Sequence, residues 1–132
     1  MKSSSLYAAL VLAIAVYILH TAAIAHHFYF MYWWYDVMMH FLAGIALGFS
    51  AYWGLFRSGI IFKTEKSAKF IILSVLLPVM VVGVGWEIFE YVNDIAGPTF
   101  EGYALDTTND LLLDACGSVL AALIASRKKR HG

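Results

Sequence analysis

All nine Lys and Arg residues of this 132-residue chain fall in three short stretches: Lys2, Arg57 to Lys69, and Arg127 to Arg130. Eight of the nine Asp and Glu residues lie elsewhere, in or beside the ends of long apolar runs. The formal net charge of zero therefore hides segregation rather than an absence of charge. With 61% hydrophobic and 14% charged residues, the chain is too apolar for an ordinary soluble domain of its size. The basic clusters have loop-like dimensions and match the positive-inside rule, so nucleic acid is excluded as a partner and membrane lipid is expected.

Apolar runs at about 6–25, 37–56, 70–92 and 111–126 approach the length of about 20 residues that crosses a bilayer core. The last is short, and a first turn that takes in Asp110 and the Thr107, Thr108 pair extends it, giving a span of about 110–126. The expected fold is all-α: one integral membrane four-helix bundle over residues 1–132. Lys2, the basic Arg57–Lys69 loop and the RKKR tail place both termini in the cytoplasm, as in a multi-pass protein of the inner, cytoplasmic membrane. HHFYFMYWWYD and NDIAGPTFEGYALDTTND then face the opposite side. The first carries an aromatic belt (Tyr29, Tyr32, Trp33, Trp34, Tyr35), and the second contains Gly97-Pro98, a turn signal. Lys2, the apolar run and Ala23-Ile24-Ala25 also fit a signal peptide with its cleavage site; start at Met1 favours an uncleaved first span. Pro78 is expected to kink the third span. Cys116, the single cysteine, cannot form an internal disulfide and is expected to be a packed small side chain.

The ionisable residues follow helical spacing. Asp36 and His40 are four apart, with Gly44 and Gly48 continuing the stripe. Glu87 and Glu90 are three apart, with Gly83 a turn below. Asp106, Asp110 and Asp114 repeat every four residues above Gly117 and Ala121. Small residues at this spacing let membrane helices approach closely, which brings the polar ends above them together. An acid in hydrocarbon costs about 2.5–3.5 kcal/mol on insertion scales, so a stripe facing lipid is not a stable alternative.

Helix capping accounts equally well for Asp36, Asp106 and Asp110, which lie near helix N-termini. It does not account for Glu87, Glu90 or Asp114. The first two sit near a helix C-terminus, where the dipole disfavours anions, and the third lies a full turn inside its span. His40 alone cannot balance these carboxylates, although His20 or His26 could join it. Either several carboxyls keep their protons and hydrogen-bond, or a divalent cation holds the group. One imidazole among oxygen ligands suits Mg, Mn or Ca at least as well as Zn or Fe. The candidate ligands are Asp36, His40, Glu87, Glu90, Asp110 and Asp114, with Glu87 or Glu90 as general base.

The segments YDVMMHFLAGIALG, WEIFE and DTTNDLLLDACGSVLAALIA resemble the VanZ-like group of small bacterial membrane proteins and related inner-membrane families of unknown function. The shared pattern is Asp-x3-His-Phe opening one helix, an acid near the end of the next, and Asp-x3-Asp-x3-Asp-x2-Gly opening the last. The likeness spans about residues 35–125. It implies a four-helix membrane fold and, through the glycopeptide-resistance members, a place in the cell envelope. WEIFE departs from the Glu-Gln pair common in that branch.

Three functions remain open from sequence. One is a metal-assisted enzyme acting on a lipid or lipid-linked phosphate. Another is a non-enzymatic accessory or binding protein, in a membrane complex or a homo-oligomer, whose polar cluster staples the helices. The third is proton or cation transfer, which the Gly, Ala, Leu and Val of the inner helix halves disfavour.

Overall fold

A computed structural model describes residues 4–62, 67–93, 95 and 102–127. Lys2, Gly97-Pro98, Asp94 and Lys128 to Arg130 lie outside these residues. The described residues are all-α, and four of their helices are long and apolar enough to cross a membrane. Helix α1 covers Ser4–His26 and α2 is a single turn, Phe28–Met31. Helix α3 runs over Trp33–Tyr52 and continues as one π-helical turn, Trp53–Arg57. Helices α4 and α5 cover Ala68–Val92 and Tyr103–Arg127.

Two boundaries differ from the sequence reading, for one physical reason. Hydropathy marks the apolar stretch, whereas a helix continues through polar or aromatic turns that bury part of their surface. Thus Trp33 to Tyr35 of the aromatic belt begin α3 rather than lying in a loop. Likewise α5 starts at Tyr103, so Asp110 lies two turns inside it and is not a cap. Tyr32 is the cap residue of α3, and its side chain makes no capping hydrogen bond. His27 takes a left-handed conformation, φ 58°, which ends α1 and lets α2 start in a new direction. Ser67 caps α4 conventionally, accepting a hydrogen bond from the Phe70 amide at 3.3 Å. Helix α4 continues through Pro78.

Helices α3 and α5 form the most extensive pair; α1 packs on α3, and α4 packs chiefly on α5. Lipid is as apolar as leucine, so membrane helices are held by close van der Waals packing rather than by expulsion from water. The glycine stripes provide that packing. A Cβ on Gly44 would lie 2.5 Å from the Asp114 carbonyl oxygen, and one on Gly48 would lie 2.8 Å from Ala121 Cβ. A Cβ on Gly117 would collide with the Phe41 carbonyl oxygen. Contacts advance in step from Gly44–Asp114 to Gly48–Ser118, so α3 and α5 run parallel. Helices α1 and α4 run antiparallel to them: Ala9 packs with Phe49 and Ala121, and Val75 packs with Tyr52 and Ala122. Large apolar side chains such as Tyr17, Leu77 and Val81 face outward, where acyl chains would cover them.

Cys116 corrects an expectation, because it is exposed rather than packed. Its neighbours Asp114 and Gly117 face the interior, and a residue between them turns away from the helix contacts.

Candidate metal centre

The antiparallel arrangement brings the N-terminal ends of α3 and α5 and the C-terminal end of α4 to one end of the bundle. Arg57, Lys69 and Arg127 mark the other end. At the acidic end, four-residue spacing turns Asp36 and His40 of α3 toward Asp110 and Asp114 of α5. His40 is central. Its Nε2 lies 3.7 Å from Asp36 Oδ1 and 3.7 Å from Asp110 Oδ2, and its Nδ1 lies 3.5 Å from Asp114 Oδ1. Asp110 and Asp114 are each 4% exposed, and His40 is 9% exposed. One oxygen of Asp36, one nitrogen of His40 and one oxygen of Asp110 lie mutually within 4.8 Å.

These separations can be compared with a real coordination sphere. Bonds of 2.0–2.2 Å place neighbouring ligands about 3.3 Å apart in tetrahedral geometry, and trans ligands about 4.2 Å apart in an octahedron. The nitrogen–oxygen separations of 3.7 Å fall between these values. The two His40 pairs thus have separations a coordination sphere can hold, and the trio would close on a cation only if Asp36 and Asp110, bounded by the 4.8 Å limit, drew together.

The other expected residues divide. Glu87 is buried, 7% exposed, and its Oε2 accepts a 2.8 Å hydrogen bond from the Thr107 hydroxyl. The Tyr103 hydroxyl donates to the Glu87 carbonyl at 3.3 Å. Among the described residues Glu87 Oε1 is buried without a hydrogen-bond partner. Glu90 is not in the trio: its Oε1 accepts from Trp86 Nε1 at 2.9 Å on the same helix. Asp106, in the first turn of α5, is exposed.

His20 and His26 also lie outside the trio. His20 Nδ1 is 2.8 Å from the Tyr29 hydroxyl, and its ring packs edge-on against Trp86 at 6.2 Å. His26 stacks on Phe28. Trp86 therefore connects α1 to Glu90 rather than acting only as an interface anchor. Burial, then the nearby Asp36 carboxylate, push the Tyr29 phenol above its ordinary range, so it remains a neutral donor beside the acids.

Thr107 and Tyr103 are site residues that spacing could have identified. Positions 103, 107, 110 and 114 share one face of α5, and the stripe of acids simply continues into hydroxyls. Thr107→Val, nearly isosteric, leaves both Glu87 oxygens unpartnered. It should cost about 1–3 kcal/mol, read as a lowered denaturation midpoint, whereas Thr107→Ser should cost little. Equal midpoints for Thr107→Val and the parent would remove this bond from the account.

A family model described as predicted membrane protein, DUF2238, matches residues 2–131. The chain belongs to the DUF2238 family. This match supports a multi-pass membrane protein, and it does not support the VanZ-like naming drawn from the helix motifs. Those motifs are short acid–glycine patterns that polar membrane bundles can share, whereas the DUF2238 match takes in the first span as well. No curated protein and no solved structure matches the chain. In this DUF2238 chain the residues that meet are Asp36, His40, Asp110 and Asp114, with Glu87 alongside.

Proposed function

We propose that this DUF2238 protein binds a divalent cation at the acidic end of its bundle and uses it to engage the phosphate of a lipid or lipid-linked substrate. The observation that carries the reading is the largely enclosed Asp36–His40–Asp110 trio, with Asp110 buried and Asp36 partly open, whose ligand atoms lie within 4.8 Å of one another. Three carboxylates around one imidazole leave an excess of negative charge that a divalent ion would offset. The basic residues Arg57, Lys69 and Arg127 at the opposite end support an orientation with the site toward the non-cytoplasmic leaflet. Headgroup phosphates would lie toward that end of the bundle. A cation there would neutralise phosphate charge or activate water. Glu87, with a free buried Oε1, suits a general base better than Glu90, which is engaged by Trp86.

Metal content of the purified protein, with melting in Mg2+, Mn2+, Ca2+ and Zn2+, tests the reading. A cation at 100 times its Kd should stabilise the fold by about 2.7 kcal/mol, and chelation should reverse the gain. A preparation that contains no metal and melts identically with each ion and with chelator would defeat the proposal.

The bridging position of His40 between α3 and α5 favours one competing reading, a purely structural staple in an accessory protein. On that reading Glu87→Gln and Asp114→Asn, which keep hydrogen bonding, would change stability alone.

A further inference from the structure

The two nitrogens of His40 face different partners. Nε2 is turned toward Asp36 and Asp110, each at 3.7 Å, while Nδ1 is turned toward Asp114 at 3.5 Å. An imidazole that ligates a cation through one nitrogen commonly donates the hydrogen on its other nitrogen to a carboxylate, which fixes both ring orientation and tautomer. We propose that Asp114 is a positioning residue rather than a ligand: it accepts the Nδ1–H of His40, so that the Nε2 lone pair points at a cation shared with Asp36 and Asp110. This inference rests on the cation reading above and adds a division of labour to it.

The packing around Asp114 supports that division. Asp114 is 4% exposed, whereas the Asp36 side chain is 36% exposed. Its Oδ2 occupies the space over Gly83, 2.8 Å from where a Cβ would stand, with Leu111 beside the same position. Its backbone is drawn against α3 by the absent Cβ of Gly44. Oδ1 is left toward His40, about 0.3–0.5 Å beyond ordinary hydrogen-bond length. The carboxylate is thus seated between α3 and α4, on the far side of the ring from the trio. A separate observation points to a ligand in this region: among the described residues Glu87 Oε1 is buried with no hydrogen-bond partner, while its Oε2 is held by Thr107, one turn before Asp110 on the same face of α5.

Function follows from the count of ligands. Four protein ligands close a tetrahedral site and make it structural, whereas three leave a position open for water or an oxyanion. With Asp114 behind His40, the ligand set is Asp36, His40 and Asp110, and the centre is of the open kind.

The full-length protein in detergent, its Asp114→Ala, Asp114→Asn and Asp110→Asn variants, and the probes Zn2+ and Co2+ test the assignment. Asp114→Ala should weaken Zn2+ binding about 10–100-fold while leaving the Co2+ ligand-field spectrum at saturation unchanged. Asp114→Asn, whose amide oxygen still accepts the Nδ1–H, should recover most of the affinity. Asp110→Asn should alter the spectrum. A spectrum altered by Asp114→Asn as strongly as by Asp110→Asn would make Asp114 a ligand and overturn the inference. Parental affinity in Asp114→Ala would overturn it too. Should Asp114→Ala fail to fold, long-range proton–nitrogen correlations in the Zn2+-loaded, histidine-labelled parent decide. The expected pattern for His40 is Nδ1 protonated and Nε2 bound; the reverse pattern overturns the inference. A parent that binds neither Zn2+ nor Co2+ and melts unchanged in Mg2+, Mn2+ and Ca2+ defeats the cation reading itself, whereas one that takes only Mg2+, Mn2+ or Ca2+ keeps that reading and overturns the assignment of His40 as an Nε2 ligand.

Discussion

Gly117→Ala should destabilise the bundle by at least about 3 kcal/mol, and Gly117→Val should prevent its assembly. Overpacking a core ordinarily costs about 1–3 kcal/mol because side chains rotate or shift to relieve it. Here the added Cβ would meet backbone: the Phe41 carbonyl oxygen, Ile45 N at 2.8 Å and Gly44 C at 3.0 Å. No rotamer change relieves such contacts, so α3 and α5 must separate. The separation would also reach the proposed cation site, because Asp36 and His40 ride on α3 while Asp110 and Asp114 ride on α5. Any variant that folds should therefore bind a divalent cation more weakly. Gly54 and Gly85 provide the contrast, since a Cβ on either meets nothing within 4 Å. Gly85→Ala lies within a helix and should be neutral or stabilising by up to about 1 kcal/mol. Denaturation midpoints in detergent, with cation titration of the folded variants, measure both effects. A Gly117→Ala protein as stable as the parent would show that α3 and α5 are not pressed together as described.

His40→Ala should produce the second large effect, and a double substitution separates its two causes. Without the imidazole, Asp36, Asp110 and Asp114 share a largely buried site with no cationic partner. Removing one member of a buried ion pair typically costs about 3–5 kcal/mol, because the remaining charge is stranded. If the trio holds a cation as proposed, affinity should fall by more than the roughly 10–100-fold typical of losing an outer-shell partner, since the trio's nitrogen would be gone. Replacing Asp110 by Asn in the same protein removes stranded charge, so His40→Ala/Asp110→Asn should regain stability without regaining cation binding. Recovery of both would mean that neither residue is a ligand. Recovery of neither would mean that the loss in His40→Ala comes from packing rather than charge.

Much of this arrangement is written in local pattern. The four spans follow from run length and apolarity, and the glycine and acid stripes follow from spacing on a 3.6-residue helix. Both depend only on residues near one another in the chain, which is why Gly44, Gly48, Gly83 and Gly117 could be singled out before any contact was known. Helix starts were less legible. Tyr103 to Asp110 look like a polar connection by hydropathy, yet Tyr103 and Thr107 bond to Glu87 and so belong to the packed helix. The outward face of Cys116 is not legible in sequence, because apolar neighbours along the chain do not say which face of α5 meets another helix.

Charge segregation and periodicity were enough to dictate a membrane bundle with acids gathered at one end, because transfer energies and helical geometry act residue by residue. Which acids meet was decided by assembly. Glu87 and Glu90 are three residues apart and chemically alike, but one reaches Thr107 across a helix interface while the other is held by Trp86 on its own helix. Asp110 and Asp114 are likewise equivalent in pattern, and the parallel crossing of α3 and α5 sets them at opposite nitrogens of His40. Helix rotation and depth, set by how closely glycines let backbones approach, distinguish such twins, and neither quantity exists until the helices pack.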